Sequence, residues 1–208
     1  MKGVGKLGSL KYKGLGKEMG TTYGNFIRRT LMLRLGSYEV IGVRINGGVV
    51  KTIFDMIPNV PQDVLEICYR LGEVKWIGEG QNEDEIIKVR GVSKGGVMLA
   101  ENLTSDVVKV ANLEHKICDV VGGEEIEIEV FVKWGVGVTS SQDNELILNE
   151  GGEENVIGLK SFHKGYDKIW LEMEGEDLTV RFTGCDKKRV KEVISNEIMN
   201  LARIISKI

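Results

Sequence analysis

The chain of 208 residues is 42% apolar and 28% charged, a balance that supports a buried core in one large domain or two small ones. A formal net charge of -3 gives it no electrostatic reason to seek DNA or RNA on its own, so any nucleic-acid role is indirect. No apolar run approaches the ~20 residues a membrane span needs, and the start "MKGVGKLGS" has neither the apolar core of a signal peptide nor the arginine- and serine-rich character of an import peptide, so the chain is expected to work in the compartment where it is made.

In chain order the first element is a helix. Tyr23, Phe26, Ile27, Leu31 and Leu35 recur at helical spacing and Gly36 stands where the run stops, which predicts a helix from about Thr21 to Leu35. Ile41, Val43 and Ile45 then alternate on one face, "NGG" at Asn46 to Gly48 supplies a turn, and "VVKTIF" reads as the returning strand of a hairpin. "PNVPQDVLEICYRLG" carries a strong helix signal. Asn59 is its expected cap, Pro61 falls in its first turn, Gly72 stops it, and Val60, Val64, Ile67, Cys68 and Leu71 form one stripe.

Between Glu73 and Trp134 the pattern changes to short β-rich runs broken by glycine and polar turns. In "EEIEIEVFVKW", Ile126, Ile128, Val130, Val132 and Trp134 face one way, while the glutamates, Phe131 and Lys133 face the other, which predicts one buried and one largely wet face. Ser140 to Asn155 reads as a polar loop. "KIWLEMEGEDLTVRF" reads as a hairpin turning near Gly175. A last helix, capped by Asp186, repeats Val190, Ile194, Ile198, Leu201, Ile205 and Ile208 at three and four residues almost to the final position, and a helix apolar to its very end needs a partner surface there. There is no internal repeat and no low-complexity tract.

The templates for chemistry fail one by one. Gly3, Gly5 and Gly8 match GxGxxG, but no strand precedes them and no helix clearly follows, so they read as a flexible start. "GLGKE" has Glu18 where a phosphate loop needs Ser or Thr to hold Mg²⁺. His115 and His163 have no second ligand at metal-site spacing, and Asn82 to Glu85 reads as a solvated acidic turn. The "NLT" at Asn102 matches a glycosylation acceptor without any sign of secretion. Cys68, Cys118 and Cys185 lie far apart, and an odd number argues for reduced, buried small hydrophobes. What remains is an α/β-type chain with two helices whose apolar faces exceed its own needs, and that points to assembly, not catalysis.

"GTTYGNFIRRTLM" resembles the signature of the α subunit of multisubunit RNA polymerase in its bacterial and plastid form, where Gly-x-Thr-x-Gly-Asn-x-x-Arg-Arg-x-Leu opens the dimerisation helix. "YEVIGVRINGGV", "IPNVPQDVLEICYRL", "NLEHKIC", "EIEIEVFVKWGVGV" and "VIGL" are similar to segments of that family in the same order, and the closing helix fits too. "VVKTIFDMI" departs from the family's usual His-Glu-Phe stretch. Nothing follows Ile208 where bacterial members carry a linker and a DNA-binding C-terminal domain, so the resemblance implies a divergent assembly domain alone.

The resemblance implies an α+β fold: a discontinuous dimerisation domain of helices packed on antiparallel strands, residues 1–48 and 166–208, with an inserted β-rich domain over 49–165. It implies a homodimeric scaffold of a DNA-directed RNA polymerase, a nucleotidyltransferase, that gathers the β and β′ large subunits. The chain itself would supply no catalytic residue, cofactor or metal; Mg²⁺ belongs to the large subunits, DNA is met only through the assembled enzyme, and no membrane is involved. Gly24, Asn25, Arg28 and Arg29 are its expected large-subunit interface, and Phe26, Ile27, Leu31, Val190, Ile194, Ile198, Leu201 and Ile205 its dimer interface. Gly24 removes a side chain so that another element can approach the helix, while Arg28 and Arg29, about 100° apart around the helix, serve different surfaces. A reduced subunit of this kind suits a plastid (chloroplast) polymerase if organelle-encoded, and otherwise a bacterial cytoplasm. The competing readings are a dimeric interaction protein of the same fold no longer attached to a polymerase and, more remotely, a small enzyme using the inserted region as its cleft.

Overall fold

The structure, a computed structural model, describes residues 7–78 and 82–207. Gly3, Gly5 and Ile208 lie outside the described residues. The rest is α+β, with helices α1 (Lys17–Arg34), α2 (Val64–Gly72), α3 (Ser141–Glu150) and α4 (Lys187–Ile205) among antiparallel strands. Contacts divide the chain into two compact units, one holding residues up to Gly36 and from Lys164 onward, the other Ser37–His163. Strand Ser37–Ile45, expected on the dimerisation side of a boundary at Gly48, hydrogen-bonds inside the second unit, between strands Ile157–Gly158 and Ile126–Gly135.

In the first unit, strands Gly8–Tyr12, Asp177–Thr183 and Lys168–Glu174 lie side by side in that order. The last two form the expected hairpin, turned by Gly175 at φ 62°. α1 and α4 bury their apolar stripes with this sheet around Leu10, Ile27, Leu31, Leu178, Val180, Phe182, Val190 and Ile194. α1 begins a turn earlier than its apolar spacing indicated. Its N-cap is Gly16, at φ 70°, with no side-chain cap, and its first turn is carried by Lys17, Glu18 and the hydroxyls of Thr21 and Thr22, which donate back to the carbonyls of Lys17 and Glu18.

The buried stripe of α1 runs Gly20, Gly24, Ile27, Leu31. It is side-chain-free where the hairpin comes close and large where the core is deep. A Cβ on Gly20 would lie 2.4 Å from Met173 Cε, and one on Gly24 would lie 2.9 Å from Leu171 Cδ1 and 3.3 Å from Leu178 Cδ1. The two glycines thus set the spacing between helix and hairpin, against a helix-propensity cost of about 1 kcal/mol each.

In the second unit a five-stranded sheet is ordered Ile157–Gly158, Ser37–Ile45, Ile126–Gly135, Ile86–Ser93, Leu103–Thr104. The main core packs on the face bearing Ile126, Ile128, Val130, Val132 and Trp134, and α2 closes it with Val64, Ile67, Cys68 and Leu71. α2 starts later than expected. Asn59 adopts the left-handed turn conformation at φ 60°, and the cap is Asp63, whose carboxylate accepts from the Glu66 N–H at 2.6 Å.

Ser140 to Asn155 is not a loop throughout, since Ser140 caps α3 by accepting from the Asp143 N–H, and α3 buries Leu148 with Ile41, Phe131 and Val156. The outer face of the sheet is therefore covered at Phe131, which Arg44 also roofs at 5.2 Å while pairing with Glu129 and Glu153. "VVKTIF" does not return as a strand. A single bridge joins Ile45 to Val50, and Asp55 then accepts from the N–H groups of Lys51 and Thr52 and turns the chain away.

A buried polar chain ties α3 to the end of this unit. Asn144 donates to the Leu159 carbonyl at 2.6 Å and to Ser161 Oγ at 3.0 Å, Ser161 lies 3.1 Å from His163 Nε2, and His163 Nδ1 lies 3.0 Å from the Ser37 carbonyl. A carbonyl only accepts, so Nδ1 carries the proton, and Nε2 accepts from the serine. Burial first of all holds the His163 pKa below its ordinary 6.5. Near and below that value the unfolded chain takes up a proton that the folded chain refuses, so stability falls as pH drops through and below the ordinary 6.5. Thermal unfolding across this range is expected to show that slope in the wild type and a flatter one in His163→Gln. In the first unit, Gly24→Val is expected to lower stability by about 2 kcal/mol through overpacking against Leu171 and Leu178, measured by denaturant unfolding. Gly24→Ala is expected to be near neutral, because its helix gain offsets a contact that the flexible end of Leu171 can relieve.

Candidate functional site

α1 presents two different sides. Its inner side supplies Gly24, Ile27 and Leu31 to the core of its own unit. Its outer side leaves Asn25, Arg28 and Arg29 exposed. Of the four residues expected at a large-subunit interface, the structure therefore keeps three on the surface and turns Gly24 inward, where its missing side chain serves the hairpin. Neither Arg28 nor Arg29 has a carboxylate within 4.0 Å among the described residues. Arg28 lines a concavity of about 400 Å³ with Met32, Lys164, Tyr166, Trp170 and their neighbours, whereas Arg29 stands outside it. The adjacent arginines thus address different surroundings, as their angular separation requires.

The eight residues expected at a dimer seam separate into two groups. Ile27, Leu31, Val190 and Ile194 are at most 4% exposed and pack against one another inside the unit, with Phe26 half-buried at the margin. Ile198, Leu201 and Ile205 continue the same α4 stripe but are 46%, 40% and 69% exposed, and Met199 and Ile204 beside them are also open. The core thus uses the first part of α4 and leaves the last two turns uncovered. At the transition, Glu197 of α4 pairs with Arg34 of α1 at 3.5 Å, and in the first turn of α4 Arg189 donates to the Gly36 carbonyl at 2.7 Å, so the uncovered end continues a helix tied down at its start and middle.

Sequence reasoning missed Lys164, Lys168 and Trp170 as neighbours of Arg28. They are distant in the chain, and only the return of the C-terminal hairpin beside α1 brings them together. Residues tested for chemistry find structural roles. His115 Nε2 donates to the Arg70 carbonyl at 2.8 Å, and Asn102 Oδ1 accepts from the Leu99 N–H. Asn82 Oδ1 accepts from the Asp84 N–H in an exposed turn. Burial pushes the thiol of Cys68 up to about 12 and those of Cys118 and Cys185 up to about 11, so none is a poised nucleophile at neutral pH. Among the described residues, no group of three or more His, Cys, Asp or Glu is arranged to hold a metal ion, and no helix is long and apolar enough to cross a membrane.

No family model matches the chain. Individual proteins do. It is 27% identical over 180 residues to the DNA-directed RNA polymerase subunit alpha of Borreliella burgdorferi, covering 83% of this chain and 52% of that protein. It is 31% identical over 169 residues to the corresponding subunit of Beutenbergia cavernae, covering 81% of this chain and 48% of that protein. The likeness to the Synechococcus elongatus subunit is 33% over 133 residues, covering 64% of this chain and 42% of that protein. The chain thus spans about half the length of the curated relatives it matches. By these likenesses, and by the α+β fold that carries the matching segments, the chain is a divergent relative of the DNA-directed RNA polymerase α subunits.

Proposed function

We propose that this chain is a scaffold subunit of a DNA-dependent RNA polymerase. It forms a homodimer, and the dimer gathers the two large catalytic subunits while supplying no catalytic residue of its own. The observation that carries this reading is the uncovered end of α4, where a stripe already committed to a core continues as Ile198, Leu201 and Ile205 beyond the edge of that core. A second copy of the same end is the simplest cover, because a two-fold axis makes one patch self-complementary. Each large aliphatic side chain buried there contributes about 1.5–3 kcal/mol before the costs of association. The relatives' name supplies the assembly in which such a dimer would work.

In this reading the first unit is the dimerisation domain and the second an insert. Asn25, Arg28 and Arg29 are offered to the large subunits, since arginine's planar fork grips carboxylates and carbonyls in a polar interface. Magnesium and nucleotide chemistry belong to those partners, and DNA is met through them. We place the assembly in a plastid if the chain is organelle-encoded and in a bacterial cytoplasm otherwise, a choice that the genomic location of the coding sequence decides.

Tagged in its native source and purified gently, the chain is expected to bring down two very large subunits with RNA-synthesising activity. Recovery as a bare homodimer under conditions that preserve the polymerase would leave a dimeric interaction protein of the same fold. Two aspartate substitutions on α4 separate seam from core. Ile198→Asp is expected to leave the unfolding midpoint nearly unchanged and to weaken the dimer on the order of 100-fold in sedimentation, because it places a charge in an apolar seam. Ile194→Asp is expected to unfold the unit, and a stable dimer in Ile198→Asp would put the seam elsewhere. Arg28→Ala and Arg29→Ala are expected to keep fold and dimer, with at least one losing capture of a large subunit; full capture by both would remove their proposed role.

A further inference from the structure

The concavity beside Arg28 is a concentration of positive charge in a chain whose net charge is -3. Arg28 reaches it from α1, Lys164 from the segment leading into the hairpin, and Lys168 from the hairpin's first residue. Among the described residues no carboxylate lies within 4.0 Å of any of the three basic groups, and Asp167 is the one acidic residue in the lining. Lys164 holds its ammonium 5.0 Å from the Tyr166 ring centroid, a cation–π placement that keeps the charge at this spot.

The apolar part of the lining is Met32, Ile169 and Trp170. The indole N–H of Trp170 donates to Glu172 Oε1 at 3.0 Å, and the other Glu172 oxygen takes Arg181 Nε at 2.6 Å. The ring is therefore a fixed wall, and the neighbouring carboxylate is already paired. Three cations without a carboxylate partner thus converge on a shallow cup with an apolar side, a pattern that complements carboxylates flanking a large apolar side chain. A nucleic-acid backbone fits less well, because its phosphates call for a stripe of cations and these three meet at one cup.

We propose that this cup is a docking socket for an acidic peptide segment of a partner polypeptide, with carboxylates held by Arg28, Lys164 and Lys168 and an apolar side chain laid on Trp170 and Ile169. The inference rests on the scaffold reading for its setting and gives that interface a chemistry. It asks that the segment carry at least two acidic residues around one aromatic or large aliphatic residue.

Two measurements test it. Zero-length carbodiimide coupling of the purified native assembly joins lysine amines to carboxylates in contact, and mass spectrometry is expected to find Lys164 or Lys168 joined to an acidic, apolar-containing segment of a large subunit. Large subunits that co-purify and cross-link elsewhere on the chain, but never to these lysines, would overturn the socket and leave the scaffold reading standing. On the isolated full chain, a fluorescein-labelled Glu-Asp-Phe-Glu-Asp peptide is expected to bind by anisotropy, with affinity reduced tenfold or more in the Lys164→Glu/Lys168→Glu double variant and in Trp170→Ala. The Gln-Asn-Phe-Gln-Asn peptide and a labelled oligothymidylate are expected not to bind. Absence of acidic-peptide binding, full binding to the charge-reversed chain, or equal binding of the oligonucleotide would each overturn the socket. This second result is independent of whether a polymerase is recovered.

Discussion

A helix longer than the core that receives it governs what this chain can do. α4 runs 19 residues from a cap at Asp186, about 28 Å at 1.5 Å per residue. The apolar repeat does not weaken along that length, but the sheet and α1 fully bury only Val190 and Ile194, with Val193 partly covered beside them. Had the stripe turned polar after Glu197, the remaining turns would be an ordinary solvated end. Instead Ile198, Leu201, Ile204 and Ile205 stay open together on a helix tied down at its start and middle by Arg189 and Arg34. Isolated exposed aliphatics are normal on protein surfaces, whereas a contiguous set continuing a core stripe marks a site of association.

The same economy of faces explains why one helix carries both glycines and arginines. Gly20 and Gly24 fall on the inner stripe of α1, where the hairpin's Met173, Leu171 and Leu178 press against bare backbone. The close approach brings the hairpin's leading segment beside α1, and so sets Lys164, Lys168 and Trp170 around Arg28. The glycines and Arg28 are thus parts of one arrangement. The inner residues fix the separation, and the outer ones use what that separation brings within reach.

How much of this could be read beforehand depended on whether the signal was local. The hairpin at Gly175 and the cap at Asp186 depend on neighbours in the chain, and they stand where the sequence put them. α3 was hidden because only Ile147 and Leu148 give its short, polar sequence an apolar face, although Ser140 and Asp143 already had capping spacing. "VVKTIF" misled for the opposite reason. Its β-branched residues look like a strand, but the Asp55 carboxylate captures two backbone N–H groups and leaves Val49 and Phe54 exposed. The division of the seam residues into covered and uncovered was not legible either, since periodicity gives the direction of a stripe and not where its partner surface ends.

The Arg28 cup was the least legible feature, because its parts come from opposite ends of the first unit. Composition even pointed away from it, with a net charge of -3. A net charge sums over the molecule, while recognition depends on the field within about a Debye length, roughly 10 Å at 0.1 M salt. In a two-fold dimer the cup would appear twice, identical in chemistry, whereas the two large subunits of the proposed assembly differ from each other. A charge-based socket tolerates that asymmetry better than a deep shape-matched pocket would, because lysine's flexible stem and point charge accept carboxylates in varied geometry. The firm wall at Trp170 ringed by Arg28, Lys164 and Lys168 is the form one would expect of a site that, in the proposed assembly, serves two unlike partners from one sequence.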